Sequence, residues 1–166
     1  MTPATTPLMT EVMASLWVMV PMAVVFVICE WLHHFRATAV ETTRKISHVS
    51  GGIAVLVLPW VVGTHWTVLG IALSFALVLG ISKKLKLLPS IHSVERKTRG
   101  AEYYPLAIYI IYVLSNGDPL LYSVPILVMA FSDTGAAVVG QRYGLVSYRV
   151  IDGFRSLGGS LTFFGL

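Results

Sequence analysis

Apolar residues in this chain come in long uncharged blocks, without the short alternation of a strand or the striped face of a surface helix. From Val12 to Cys29, between Glu11 and Glu30, nothing is charged. As a helix this block measures roughly 27 Å, enough to cross the hydrocarbon of a bilayer. Pro21 lies inside it and predicts a kink. The next uncharged run extends from Ile46 to Ser82. A single helix of that length would reach roughly 55 Å, so Pro59 and Gly63-Thr64 are expected to turn it into a hairpin of two short spans. A fourth apolar stretch covers Tyr103 to Gly117, the turn signal Asn116-Gly117-Asp118-Pro119 follows, and a fifth covers about Pro119 to Gly140. A sixth begins near Leu157 and stops at Leu166 after roughly 15 Å of helix, so the last span is expected to be truncated. The pattern predicts an all-α, polytopic transmembrane helical bundle of about six spans, one membrane-embedded domain over residues 1–166. Residues 1–11 form a polar tail that lacks the basic start of a secretory signal peptide.

Composition excludes an ordinary soluble domain. Of the residues, 55% are hydrophobic and 12% charged, against about a quarter charged in soluble proteins. The net charge of +4 does not point to nucleic acid, because a membrane protein that keeps Lys and Arg on one side acquires the same balance. All 12 Lys and Arg residues fall in three connections, about residues 30–45, 83–102 and 141–156. The positive-inside rule makes these loops cytoplasmic and puts the N-terminus outside. Spans two, four and six then start at the cytoplasmic face, where their free N–H groups and positive dipole ends suit anions. The lone cysteine, Cys29, carries no information on redox compartment. His33, His34, His65 and His92 show no metal-ligand spacing, and the P-loop, GxSxG and HExxH patterns are absent.

Candidate chemistry centres on Asp133. A carboxylate within a membrane-length apolar segment is costly unless it is paired or functional. Ala136, Gly140 and Gly144 follow it on one helical face. This small-residue ridge has two readings. It can pack closely on a neighbouring helix, with Asp133 paired to an Arg or Lys. It can also leave room for a nucleotide while Asp133 holds a divalent cation carried mainly by phosphates. Arg149 reads as an ordinary interfacial cation and Arg142 adjoins the ridge. Arg155 is followed by Ser156 and Gly158-Gly159-Ser160 at a helix start, a combination suited to phosphate oxygens. Glu41, Arg44, Lys45 and His48 precede Gly51-Gly52, and Arg44 and His48 share a face. They either snorkel and hydrogen-bond within the bundle or reach the site. The charged stretch Glu95–Glu102 runs straight into Tyr103-Tyr104-Pro105, to meet anionic headgroups or fold into the site.

Taken in order, four segments resemble the membrane family of CTP-dependent lipid kinases, which includes phytol kinase, dolichol kinase and the CTP-dependent diacylglycerol kinase. They are ExxRKxxHxxxG at Glu41 to Gly52, the acidic-basic run into Tyr-Tyr-Pro at Glu95 to Pro105, DxxAxxxGxxxG at Asp133 to Gly144, and KSxxGS at Arg155 to Ser160. The resemblance implies phosphorylation of a lipid alcohol (phytol, polyprenol or dolichol, or diacylglycerol) at the cytoplasmic face, with CTP as donor and Mg²⁺ as cofactor. It implies a nucleotide site of Asp133, Gly140, Gly144, Ser156, Gly159 and Ser160; Arg142, beside the ridge, is expected to join that site, and Asp133 is expected to ligate the metal. On the residues themselves, Arg155 is expected to hold phosphates and Arg44 and Lys45 to neutralise transition-state charge; no general base is identifiable, with His48 and Glu41 as the candidates. The family usually has Lys where this chain has Arg155, so a planar fork replaces a point charge. Its members also continue through further spans. A CTP:phosphatidate cytidylyltransferase, making CDP-diacylglycerol, is the alternative on the same nucleotide and metal. A transporter or assembly protein is a second alternative, disfavoured by the absence of related halves and by polar residues gathered toward one face.

Overall fold

The computed structural model describes residues 7–92, 100–144, 146–150 and 153–166, and it is helical apart from one short hairpin. The segment Glu95–Arg99 and most of the N-terminal tail lie outside the described residues. Among the described residues three helices are long and apolar enough to cross a membrane: Leu8–Arg36, His65–Leu85 and Pro119–Tyr143.

Helix α1, Pro7–Arg36, passes through Pro21 and runs beyond the expected end at Cys29. Glu30 and Arg36 can leave the hydrocarbon without breaking the backbone ladder, since a charged residue at the interface needs water and not a loop. Ala37 to Ala39 alone separate α1 from α2, Val40–Val55, with Ala37 at φ 49°. The expected loop over about 30–45 is therefore a three-residue turn between helix ends. Beneath it, the Thr43 hydroxyl donates to Ser90 O at 2.6 Å and the Ser90 N–H to Glu30 Oε2 at 3.3 Å. These bonds tie α2 and α1 to the short α5, Pro89–His92.

The hairpin expected over 46–82 is present, with its first arm broken into α2 and α3, Leu58–Val61, ahead of α4, His65–Leu85. α6 covers Gly100–Leu114. The Asn116-to-Pro119 turn forms as read: Asn116 and Gly117 take positive φ, and Asp118 Oδ1 accepts from the Leu120 and Leu121 N–H groups at 2.8 and 3.2 Å. That caps α7, Pro119–Leu127, with Pro119 in its first turn. α7 continues through a π-helical turn, Val128–Ser132, into α8, Asp133–Tyr143. The polar loop expected over 141–156 contains strands β1, Ser147–Val150, and β2, Gly153–Ser156, paired antiparallel with Tyr148 opposite Arg155. α9, Leu157–Gly165, follows and packs along α8. All six expected apolar segments are thus helical, but α2, α6 and α9 have 16, 15 and 9 residues and fall short of a full crossing.

The core gathers Val18, Leu58, Val68, Ile108, Tyr122 and Ile126. Tyr122 is fully buried there, and its hydroxyl donates to Val55 O at 2.9 Å, which satisfies the one polar atom it brings into an apolar centre. Trp17, Val20, Val24 and Val27 of α1 remain exposed. In lipid that exposure costs little, because the tails are as apolar as the side chains.

Candidate functional site

The site is set up by the wide turn ahead of α8. In an α-helix the Asp133 N–H would bond to Met129 O; here it bonds one residue further back, to Val128 O. Met129 O accepts instead from His48 Nε2 at 2.9 Å, which fixes the imidazole with its proton on Nε2. The His48 ring lies against Tyr104, centroids 4.3 Å apart, and the Tyr104 hydroxyl reaches His48 O at 3.4 Å. Gly52 allows this approach, since a Cβ there would fall 2.7 Å from the Ala130 Cβ. His48 therefore pins α2 to the turn that aims Asp133.

Asp133 opens into a cleft of about 450 Å³ bounded by α8, the hairpin and the start of α9. It is exposed, and among the described residues it makes no hydrogen bond or ion pair. Arg155 lines the same cleft from β2, beside its cross-strand partner Tyr148. The Tyr148 hydroxyl and Ser160 Oγ are 2.7 Å apart, and Ser160 Oγ donates to Ser156 O at 3.2 Å. Ser156 is the N-cap of α9: its Oγ accepts from the Gly159 N–H at 3.1 Å. The Leu157 N–H bonds to Val146 O at 2.9 Å. Two of the free N–H groups expected at this helix start are thus already engaged. What the cleft offers a phosphate is the Arg155 guanidinium, the Tyr148 and Ser160 hydroxyls and the dipole of α9.

The glycines seat one helix on the other. A Cβ on Gly159 would stand 2.9 Å from Ala136 O and 3.3 Å from Gly140 Cα, one on Gly140 2.8 Å from Ser156 Oγ, and one on Gly144 2.9 Å from Ser156 Cβ. The close-contact reading of the ridge is what the backbone shows, and Asp133 is left unpaired by it. Gly140 and Gly159 also line the cleft, while Gly144 packs behind it.

The first motif is placed differently from expectation. Arg44 is held by Glu41 in a two-pronged pair, Nη2–Oε1 2.7 Å and Nε–Oε2 3.1 Å, and lines neither the cleft nor the groove beside it. Both Glu41 oxygens face that guanidinium, and His48 also stands outside the cleft. Lys45 donates to Gln141 Oε1 at 3.0 Å. Lys45 and Arg142 border a second groove of about 720 Å³ between α2 and α8. Gln141 lines both cavities. The structure thus gathers Asp133, Gly140, Arg155, Ser156, Gly159 and Ser160, and separates Lys45 and Arg142 from them by the body of α8. Gln141, Tyr148, Phe154 and Phe163 join the cleft unforeseen. Tyr148 and Phe154 flank Asp152-Gly153, a hairpin signal that could have found them.

No group of three His, Cys, Asp or Glu side chains suited to a metal occurs among the described residues. A single free carboxylate fits Mg²⁺ that arrives on phosphate oxygens and needs one or two protein ligands; it does not fit a resident metal held by protein alone.

Compared with known proteins, the chain is 36% identical over 155 aligned residues to phytol kinase of Synechocystis sp.. The match covers 89% of this chain and 66% of that relative, so the chain spans about two thirds of its length. No family model and no solved structure matches the chain.

Proposed function

The chain belongs to the phytol kinase family, and we propose that it transfers the γ-phosphate of CTP, carried with Mg²⁺, to the hydroxyl of a membrane lipid alcohol. The observation that carries this reading is the meeting of Asp133 and Arg155, from separate segments, across one cleft at the start of α9. Phosphoryl transfer asks mainly for positioning and charge neutralisation. Asp133 would hold the cation, which would supply charge neutralisation to the phosphates, and Arg155 with the Tyr148 and Ser160 hydroxyls would hold the phosphate chain. The lipid oxygen attacks the γ-phosphorus as the bond to the β–γ bridging oxygen breaks, CDP leaves, and the hydroxyl proton passes to phosphate oxygen. Because the Lys and Arg residues concentrate in three connections, the cleft faces the cytoplasm, where CTP is available and the alcohol enters sideways from the bilayer. A long-chain isoprenoid alcohol such as phytol is the acceptor, with polyprenol, dolichol and diacylglycerol as the competing candidates.

The test is incubation of the full chain in lipid vesicles with Mg²⁺ and CTP labelled at the γ-phosphate, offering phytol, polyprenol, diacylglycerol and phosphatidate together. Label in a lipid monophosphate is the expected result and identifies the acceptor. Labelled pyrophosphate, with CMP joined to phosphatidate, would overturn the kinase reading in favour of a cytidylyltransferase. Transfer from γ-labelled ATP at an equal rate would overturn the choice of donor.

A further inference from the structure

The α2–α8 groove has a polarity gradient that the nucleotide reading leaves unexplained. α2 supplies Thr42, Lys45, Ile46, Val49 and Ser50, and α8 supplies Thr134, Val138, Gln141 and Arg142, two facing stripes at helical spacing. The charged end is at Lys45, Gln141 and Arg142. From there the walls turn apolar at Ile46, Val49 and Val138 and end at the neutral hydroxyl side chains of Ser50 and Thr134, about 10 Å along the helices toward the level of Asp133. Ile46 and Val138 are 38% and 45% exposed, so the apolar part is open and not filled by the described residues. Among the described residues neither cation meets a carboxylate: Lys45 bonds to the neutral Gln141 amide and Arg142 lies over the Tyr143 ring at 5.7 Å. At about 720 Å³ the volume falls in the range of small-molecule sites. The groove and the cleft share one lining residue, Gln141, at the cationic end of the groove.

We infer that this groove is the lipid site, and that it binds a single-chain lipid monophosphate with the phosphate at Lys45 and Arg142 and the chain along Ile46, Val138 and Val49. This rests on the kinase reading for the origin of the ligand: the monophosphate is the product, and the alcohol occupies the same groove with its hydroxyl at Gln141, next to the nucleotide cleft. Charge orders the two ligands. A monoester dianion engages both cations, whereas an alcohol gains one neutral hydrogen bond, so the product binds more tightly than the substrate. The lipid monophosphate therefore inhibits competitively against the alcohol and not against CTP.

The experiment uses phytyl monophosphate carrying a diazirine midway along its chain, with the full protein in neutral phosphatidylcholine vesicles. Irradiation should label peptides that contain Ile46–Val49 and Thr134–Val138. Capture should fall about tenfold or more in a Lys45→Ala/Arg142→Ala double variant, the loss expected when two charge-assisted contacts are removed. Val138→Trp, which keeps both cations and fills the apolar part, should lower capture as well, so a folding defect of the double variant does not decide the question alone. Label confined to other helices, or capture unchanged in both variants, would overturn the site. Competition by phosphatidylglycerol as strong as by unlabelled phytyl monophosphate would overturn the product assignment and leave a general anionic-headgroup contact. Capture needs no turnover: intact capture without γ-label transfer would remove the kinase reading alone, and lost capture with transfer intact would remove the groove alone.

Discussion

Replacing Gly159 with Ala probes the contact that sets α9 on α8, and its neighbour Gly158 supplies the control. The added Cβ at 159 would lie 2.9 Å from Ala136 O, a backbone atom that cannot swing aside, with Ser156 Oγ at 3.1 Å and Gly140 Cα at 3.3 Å. Comfortable contacts begin near 3.5 Å, so α9 has to move off α8 by about 0.5 Å. Overpacking of this kind costs about 1–3 kcal/mol, and the better helix propensity of Ala returns up to about 1 kcal/mol. The expected net loss is about 1–2 kcal/mol. At Gly158 the nearest atom to a new Cβ is Tyr143 O at 3.5 Å, ordinary contact, so only the propensity gain remains. Two adjacent glycines given the same methyl should therefore change stability in opposite directions. Thermal unfolding of the detergent-solubilised variants reads this directly. The Gly159→Ala shift also carries Ser156 and Ser160 away from Asp133. Displacements near 1 Å cost about 10²-fold in rate, so about tenfold is expected here in γ-label transfer. Equal stability of the two variants would refute the α8–α9 packing and the argument built on it.

Three further perturbations separate the roles within the cleft. Asp133→Asn should leave unfolding within about 0.5 kcal/mol, because the exposed carboxylate has no partner among the described residues, while label transfer falls at least about 10²-fold; retained transfer would remove Asp133 as metal ligand. Arg155→Lys keeps the charge but loses the bidentate fork, and the KM for CTP should rise about tenfold, whereas an unchanged KM would place the nucleotide elsewhere. His48→Ala strips the donor from Met129 O and should destabilise the chain by about 1–3 kcal/mol; wild-type stability in a chemical or thermal melt would mean that the π-helical turn does not depend on α2.

The spans are legible because lipid leaves the backbone few options. Eighteen or so uncharged residues have to be helical, and Asn116-Gly117-Asp118-Pro119 offers two residues tolerant of positive φ, a cap and a helix-starting proline in the right order. Helix ends are less legible: Glu30 to Arg36 are polar enough to suggest a loop, yet at the interface they remain helical in α1. The π-helical turn leaves no pattern beyond Pro125 one residue-pair ahead of it, since its cause is the long-range bond from His48 to Met129 O. The separation of Arg142 from the cleft, in contrast, follows from arithmetic on the helix. At about 100° per residue, Arg142 stands about 200° around α8 from Gly140, so the two cannot serve one cavity without the chain leaving the helix between them.

The close packing of the Ala136, Gly140, Gly144 ridge does not exclude the ligand reading of the same residues. Close packing and ligand binding look like alternatives when a small residue is taken singly, because a glycine filled by a neighbouring helix leaves no room for a nucleotide. Here the neighbour is α9, and its first turn carries Ser156 and Ser160 behind Arg155. Bringing that turn to within a methyl's width of Gly140 is what places a positive helix end and two hydroxyls beside an unpaired carboxylate. A bulkier ridge would hold α9 off and dilute the field at Asp133 with water, at a Coulomb cost that grows as the effective dielectric rises. The packing of small residues therefore shapes the cleft: the ridge meets glycine and serine of α9, and among the described residues Asp133 forms no ion pair and shares the cleft with Arg155.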